Sequence, residues 1–224
     1  MTRPDDPAAH WFPSPNFGPR RDGLQPELVV LHYTQMPSVQ SALARLCSPK
    51  AQVSAHYLIG ADGQIWQLVT EAMRAWHAGA GNWRGQGDIN SRSIGIELDN
   101  DGDSPFAAAQ MLALERLLPG VLARWNIPPE GVIAHSDMAP ARKSDPGPRF
   151  DWRRLARLGL SVWPAPGGSA DAPLDTSLTT LGYPPVAPAL RLAAFRLRFR
   201  PSHDGPEDAM DRACADALVT LLNK

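Results

Sequence analysis

Leu28-Val-Val-Leu-His-Tyr33 is the stretch that decides the fold. Four consecutive apolar residues lack the in–out alternation of a strand with one wet face. They predict a strand buried on both sides, as in a parallel sheet covered by helices. The run ends on His32, so an imidazole stands where the strand leaves the sheet.

The pattern recurs outward from there. Ser93-Ile-Gly-Ile-Glu-Leu98 is a second strand, interrupted by Glu97. Gly131-Val-Ile-Ala134 is a third, and it ends on His135. Ser38 can cap a helix that carries Val39, Leu43 and Leu46 on its apolar positions. His56–Ile59 and Ile65–Val69 flank Asp62-Gly63, a hairpin signal. Phe106–Trp125 is rich in helix formers and is followed by Pro128-Pro129, which stop a helix. Trp152–Leu158 predicts one more short helix. Ala75–Asn90 holds four glycines and reads as loop. Strands alternating with helices, with one hairpin, predict an α/β fold: a mixed central β-sheet flanked by helices.

Residues 1–27 are proline-rich and predict an extended arm over the surface. Trp163–Pro173 has the composition of a linker. It separates a domain at 28–162 from a small all-α module at 174–224. The module's helices are expected near Leu174–Leu181, Ala189–Phe199 and Asp208–Leu222, the last capped by Glu207 or Asp208. About fifty residues make a marginal independent core, so the module can lean on the larger domain. The linker itself predicts few contacts across it.

The balance of charges excludes several classes. With 22 basic and 23 acidic residues the net charge is −1, so nothing favours nucleic acid or an anionic membrane surface. No segment has the length of a membrane span, so no membrane insertion is expected. Cys47 and Cys214 stand far apart and predict small buried residues rather than a disulfide framework. The N-terminus shows no apolar signal segment. That favours the cytoplasm, with the periplasm as the alternative location, and a monomer is expected.

Chemistry concentrates in His135-Ser-Asp-Met-Ala-Pro-Ala-Arg-Lys-Ser-Asp-Pro-Gly-Pro148. In extended backbone Lys143 and Asp145 point to the same side. With His32 and His135 they suit a hydrolytic zinc site: two imidazoles, one carboxylate and one open position. The competing reading is a solvated Lys–Asp pair on an Asp-Pro-Gly turn, with His135 an ordinary strand-end residue. Likewise Glu97 can be an outward-facing residue, since Ile94, Ile96 and Leu98 suffice for a core face.

Four blocks, in order, resemble one family: Val30-Leu-His-Tyr33; Ser54-Ala-His-Tyr-Leu-Ile59 with Asp62-Gly63; Ala75-Trp-His-Ala-Gly79 through Ser93-Ile-Gly-Ile-Glu97; and Ala134-His-Ser-Asp137 through Lys143-Ser-Asp-Pro-Gly-Pro148. Together with the Ser14-Pro-Asn…Arg20 arm they resemble the zinc-dependent N-acetylmuramoyl-L-alanine amidases of the amidase-2 family, whose fold is shared by peptidoglycan-recognition proteins. The resemblance spans about residues 12–158. It implies one zinc ion on His32, His135 and Asp145, with Glu97 moving the proton and Lys143 stabilising the oxyanion. It implies a peptidoglycan or muropeptide substrate, cut between N-acetylmuramic acid and L-alanine. Trp76, His77, Asn82 and Trp83 are the expected substrate-side residues, with His56 a packing or hydrogen-bonding residue and His10 and His203 solvated. The tail, Leu181-Gly-Tyr183 with Ala194–Pro201, looks like a helical peptidoglycan-binding module. A non-catalytic peptidoglycan-binding protein on the same fold is the rival, but it would be marked by loss of a ligand or of the acid–base residue. A zinc hydrolase of ordinary peptides is a second rival, against which the Trp-His-Ala-Gly loop argues.

Overall fold

The computed structural model describes residues 3–223. Its centre is a six-stranded mixed sheet. In chain order the strands are β1 (His10–Trp11), β3 (Leu28–Tyr33), β4 (Tyr57–Ile59), β5 (Ile65–Gln67), β7 (Ser93–Leu98) and β8 (Val132–Ala134). They lie side by side in the order β1-β5-β4-β7-β3-β8. β4, β7, β3 and β8 run parallel, and β5 pairs antiparallel with β4 through the expected hairpin. A two-stranded ribbon joins β2 (Phe17–Gly18) to β6 (Arg74–Ala75).

Alternation along β3 sends Val29 and Leu31 to one face and Leu28, Val30 and His32 to the other. The first face packs on α3 (Ala108–Trp125) and α5 (Trp152–Arg157), through Met111, Leu114, Leu118, Val121 and Leu155. α3 begins two residues later than its composition suggests, because Phe106 turns in against Phe150 instead. It ends where Asn126 takes the left-handed conformation that asparagine tolerates. α1 (Val39–Leu46), capped by Ser38, covers Leu58 and Leu68 on the second face.

The arm is extended, as expected, but it is built into the molecule. β1 extends the sheet, and Asn16 donates to the carbonyls of Ser48 and Val53. Arg20 donates to the carbonyls of Glu71 and Ser91, tying arm to sheet.

The tail helices α6 (Leu174–Leu181), α7 (Pro188–Phe199) and α8 (Ala209–Leu222) form where expected, with Asp208 as the cap of α8. The expectation of few contacts across the linker is overturned. Leu178, Leu181, Phe195, Phe199 and Leu218 share one core with Leu28, Val30, Ile133 and Met138 of the sheet and its loops. The linker is stapled down as well: Ser169 donates its N–H to Asp216, and Arg212 donates to the Ala170 carbonyl. The physical reason lies in β3 and β8. Their second-face side chains are apolar, and the tail joins Ala78, Trp83 and Ile89 in covering them. Cys47 and Cys214 are half-buried and free. No helix among the described residues is long and apolar enough to cross a membrane.

Candidate active site

The parallel strands deliver their polar residues to one place. His32 and Glu97 are register partners on β3 and β7, so their side chains leave the same face side by side. His135 follows β8 directly, as the first residue of α4 (His135–Met138). The loop after α4 returns Lys143 and Asp145 to the same mouth, where the Ser136 N–H donates to the Asp145 carbonyl. All five line a cavity of about 320 Å³, with Trp76 and His77 on its wall.

Proton bookkeeping determines what the two histidines present. Ser93 Oγ donates to the Ile89 carbonyl at 2.6 Å. A hydroxyl has one proton, so His77 Nε2 must donate to Ser93 Oγ, at 3.1 Å. A neutral imidazole has one ring proton, so His77 Nδ1 accepts, and His32 Nε2 donates to it at 3.0 Å. His32 then offers a lone pair at Nδ1. His135 Nε2 faces the Ala78 carbonyl at 2.9 Å, an atom that only accepts, so neutral His135 also offers a lone pair at Nδ1. Burial, and secondarily the nearby His135, lower the pKa of His32 to about 4, which keeps it neutral. Burial, then His32 and His56, hold His77 well below its ordinary range.

His32 Nδ1 and His135 Nδ1 are 2.9 Å apart, and each is 2.9 Å from Asp145 Oδ2. Two lone pairs and a carboxylate oxygen therefore converge with no ring proton between them. They repel unless a cation lies among them. Two imidazole nitrogens with one carboxylate oxygen, buried but bordering a cavity, are a donor set suited to zinc. The partners behind the histidines, His77 and the Ala78 carbonyl, are of the kind that fix a metal ligand's tautomer. Arg142 in turn donates to the carbonyls of Ala78 and Ala80, holding that loop in place.

Glu97 Oε2 is buried without a hydrogen-bond partner. Burial first, and the Asp145 carboxylate second, push its carboxyl well above the usual range, while Lys143 pulls back. An acid so perturbed and opening on a cavity is suited to proton transfer. Lys143 is exposed at the mouth and forms no ion pair among the described residues, so it is not a neutralised partner of Asp145.

The chain matches a family model described as N-acetylmuramoyl-L-alanine amidase over residues 22–148. The chain belongs to this amidase family. It is accordingly a hydrolase of the amide between N-acetylmuramic acid and L-alanine. N-acetylmuramoyl-L-alanine amidase AmiD of Escherichia coli (strain K12) is 39% identical, with 86% of this chain and 82% of that one covered. 1,6-anhydro-N-acetylmuramyl-L-alanine amidase AmpD of Salmonella typhimurium (strain SL1344) is 34% identical over 67% of this chain and 89% of its own length. Among solved structures, AmiD in complex with anhydro-N-acetylmuramic acid-L-Ala-D-gamma-Glu-L-Lys superposes with a TM-score of 0.79 at 37% identity, covering 90% and 91% of the two chains. AmpDh3 of Pseudomonas aeruginosa gives 0.81 at 29% identity over the full length of both. The mixed sheet with flanking helices is thus the family's architecture.

The remaining assignments of this amidase divide. His56 is fully buried between the Gly95 N–H, which it accepts, and the Met73 carbonyl, to which it donates. It packs and hydrogen-bonds inside the hairpin region and does not line the cavity. His77 stands behind a histidine of the site rather than only on the substrate side. Trp83 is a correction: it is buried against Tyr183 in the tail core and does not reach the cavity. Asn82 is also away from the lining, with its N–H bonded to the Met138 carbonyl. The loop's glycines bring its backbone to Met138, and this draws both residues inward. Trp76 does line the cavity. His10 and His203 are exposed, although His10 lies in β1 and His203 pairs with Asp208.

Sequence reasoning missed Ser93 and Arg142, which act through backbone carbonyls and a second histidine. Gly95 was the available signal for the first. A Cβ on it would lie 2.3 Å from His77 Cγ, so the strand keeps a glycine to seat that ring.

Proposed function

We propose that this amidase holds one zinc ion on His32 Nδ1, His135 Nδ1 and Asp145 Oδ2, and that its substrates are 1,6-anhydro-muropeptides. The observation that carries the metal is the convergence of three electron pairs with no ring proton among them. The substrate rests on the names of the AmpD relatives and on the ligand in the AmiD complex. When bound, zinc supplies a Lewis acid for the scissile carbonyl and lowers the pKa of water toward about 7.

The protein's own groups do the rest. Glu97 accepts the proton of the attacking water as the water oxygen bonds to the lactyl carbonyl carbon. Lys143, whose ammonium stands at the mouth, stabilises the oxyanion that develops. Glu97 then returns the proton to the L-alanine nitrogen as the C–N bond breaks. The products are the muramic-acid carboxylate and a peptide with a free amine. Trp76 offers an aromatic face on the cavity wall, suited to a sugar ring. Every residue of this scheme comes from one copy, so a monomer suffices for it.

Purified protein is expected to contain one zinc per chain. Chelation should abolish release of the peptide from an anhydro-muropeptide, followed by mass spectrometry, and added zinc should restore it. Chelation should also lower the melting temperature, since a ligand bound only to the folded state stabilises that state. Full turnover in metal-free protein would sink the scheme. Zinc binding without turnover would favour the non-catalytic reading.

Gly95→Ala tests the support behind His32. The added methyl must displace the His77 ring, leaving the His32 tautomer unfixed. Loss of such a partner typically costs about 10- to 100-fold in metal affinity or activity. A competition titration against a chelator should show that loss with the circular dichroism spectrum retained. Wild-type zinc affinity would show that His77 does not orient His32.

A further inference from the structure

Asp137 is fully buried two residues after His135. Its Oδ2 accepts the Ala134 N–H at 2.9 Å, capping the turn of α4 that begins with His135. Both remaining partners come from the tail. Tyr183 donates its hydroxyl to Asp137 Oδ1 at 2.7 Å, and Arg198 donates to Oδ2 at 2.6 Å. The other Arg198 nitrogen reaches the Val132 carbonyl at 3.0 Å, on the strand that leads into His135. The guanidinium lies 4.2 Å from the Trp152 ring centre, so its position is set on a further side. Tyr183, Arg198 and Asp137 are all at least 95% buried.

We infer that Tyr183 and Arg198 are positioning residues for the metal site: the tail fixes the β8–α4 corner and thereby the direction of His135 Nδ1. The inference rests on the reading of His135 as a zinc ligand. It gives the tail a part in the reaction that a wall-binding module would not have. An Asp137 side chain bonded to Ala134 alone would hold one end of the corner. The two tail groups occupy both of its oxygens and the Val132 carbonyl together, so the corner has one arrangement. Metal sites need this kind of support, because ligands held loosely lose affinity and activity together.

The test uses the full-length zinc-loaded protein. Tyr183→Phe removes one hydrogen bond and keeps the ring in the tail core. It should bind zinc about tenfold more weakly in a chelator competition, with turnover at saturating zinc reduced and KM unchanged. Arg198→Lys keeps the charge but cannot reach Asp137 and Val132 together, and it should lose at least as much. Leu118→Ala is the control. It loosens the opposite face of the sheet, and it should lower the melting temperature as far or further with zinc affinity unchanged. Equal zinc affinity in wild type and Tyr183→Phe overturns the inference while leaving the metal site standing. An equal loss of affinity in Leu118→Ala overturns it too, because general loosening would then suffice. A wild-type protein that binds no zinc removes both the inference and the site it rests on.

Discussion

Glu97→Gln is expected to lose about a hundred- to ten-thousand-fold in turnover while keeping its zinc and its fold, the span typical of a general acid–base group. The amide preserves the shape of the side chain and removes its capacity to take a proton. The geometry makes the outcome specific. Glu97 is beside His32 in the sheet register, yet its Oε2 has no partner, so it supports no other group. A buried acid without a partner is a cost to folding. The variant should therefore melt at or above the wild-type temperature while turnover collapses. Lys143→Ala should likewise lose turnover with zinc retained, because its ammonium is exposed and holds no ion pair among the described residues. Anhydro-muropeptide turnover, zinc content and melting temperature on the same samples decide it. Near wild-type turnover in Glu97→Gln would move the proton to another group at the cavity, with His77 the first candidate.

The parts of this site that could be read from the sequence share a physical cause. A strand buried on both faces is apolar, so a histidine or glutamate in it stands out and has to be explained. His32, Glu97 and His135 were visible for that reason, and so was the α/β class. Asp145 was visible through its spacing from Lys143. What could not be read was lateral. That His32 sits beside Glu97 depends on pairing two strands separated by about sixty residues, and nothing local to either strand encodes it. The tautomer relay through His77 and Ser93 depends on the same pairing, with Gly95 its faint trace. Trp83 misled because an aromatic residue in a glycine-rich loop looks equally suited to a sugar and to a core.

The tail was misjudged for a different reason. Trp163–Pro173 has the composition of a free linker, and composition does not report that Ser169 and Ala170 are bonded to α8. A signal was nevertheless present in α7. Arg191, Phe195, Arg198 and Phe199 fall on one helical stripe by their spacing of three and four. An arginine in an apolar stripe must find a buried anion or carbonyl, since an unpaired buried charge is prohibitive. Arg198 finds Asp137, on the domain side of the supposed boundary. Arg191 and Arg196 pair inside the tail, with Asp175 and Asp211, so of these buried arginines it is Arg198 that docks the helix on the larger domain.

Truncation after Trp163 is therefore expected to unfold the protein rather than release an active core. Without the tail, Leu28, Val30, Ile133 and Met138 keep Ala78, Trp83 and Ile89 but lose the tail's share of their cover on the second face of the sheet. Each such side chain contributes about 1.5–3 kcal/mol when fully buried. Four of them come to about 6–12 kcal/mol, an upper estimate because unfolded chains already bury some of this surface. That is comparable with the whole stability of an ordinary domain, about 5–15 kcal/mol. Asp137 also loses its two tail partners, Tyr183 and Arg198, and keeps only the Ala134 N–H. These losses take most of the margin. Expressed alone, residues 1–163 should be aggregated or should lack a cooperative melting transition, and they should be inactive on a soluble anhydro-muropeptide and on polymeric wall alike. A tail acting purely as a wall-targeting module predicts the opposite. The truncated chain would then melt near the full-length temperature and keep its rate on the soluble substrate, losing only on the polymer. That pattern would show that the shared core is dispensable and would return the tail to a binding role.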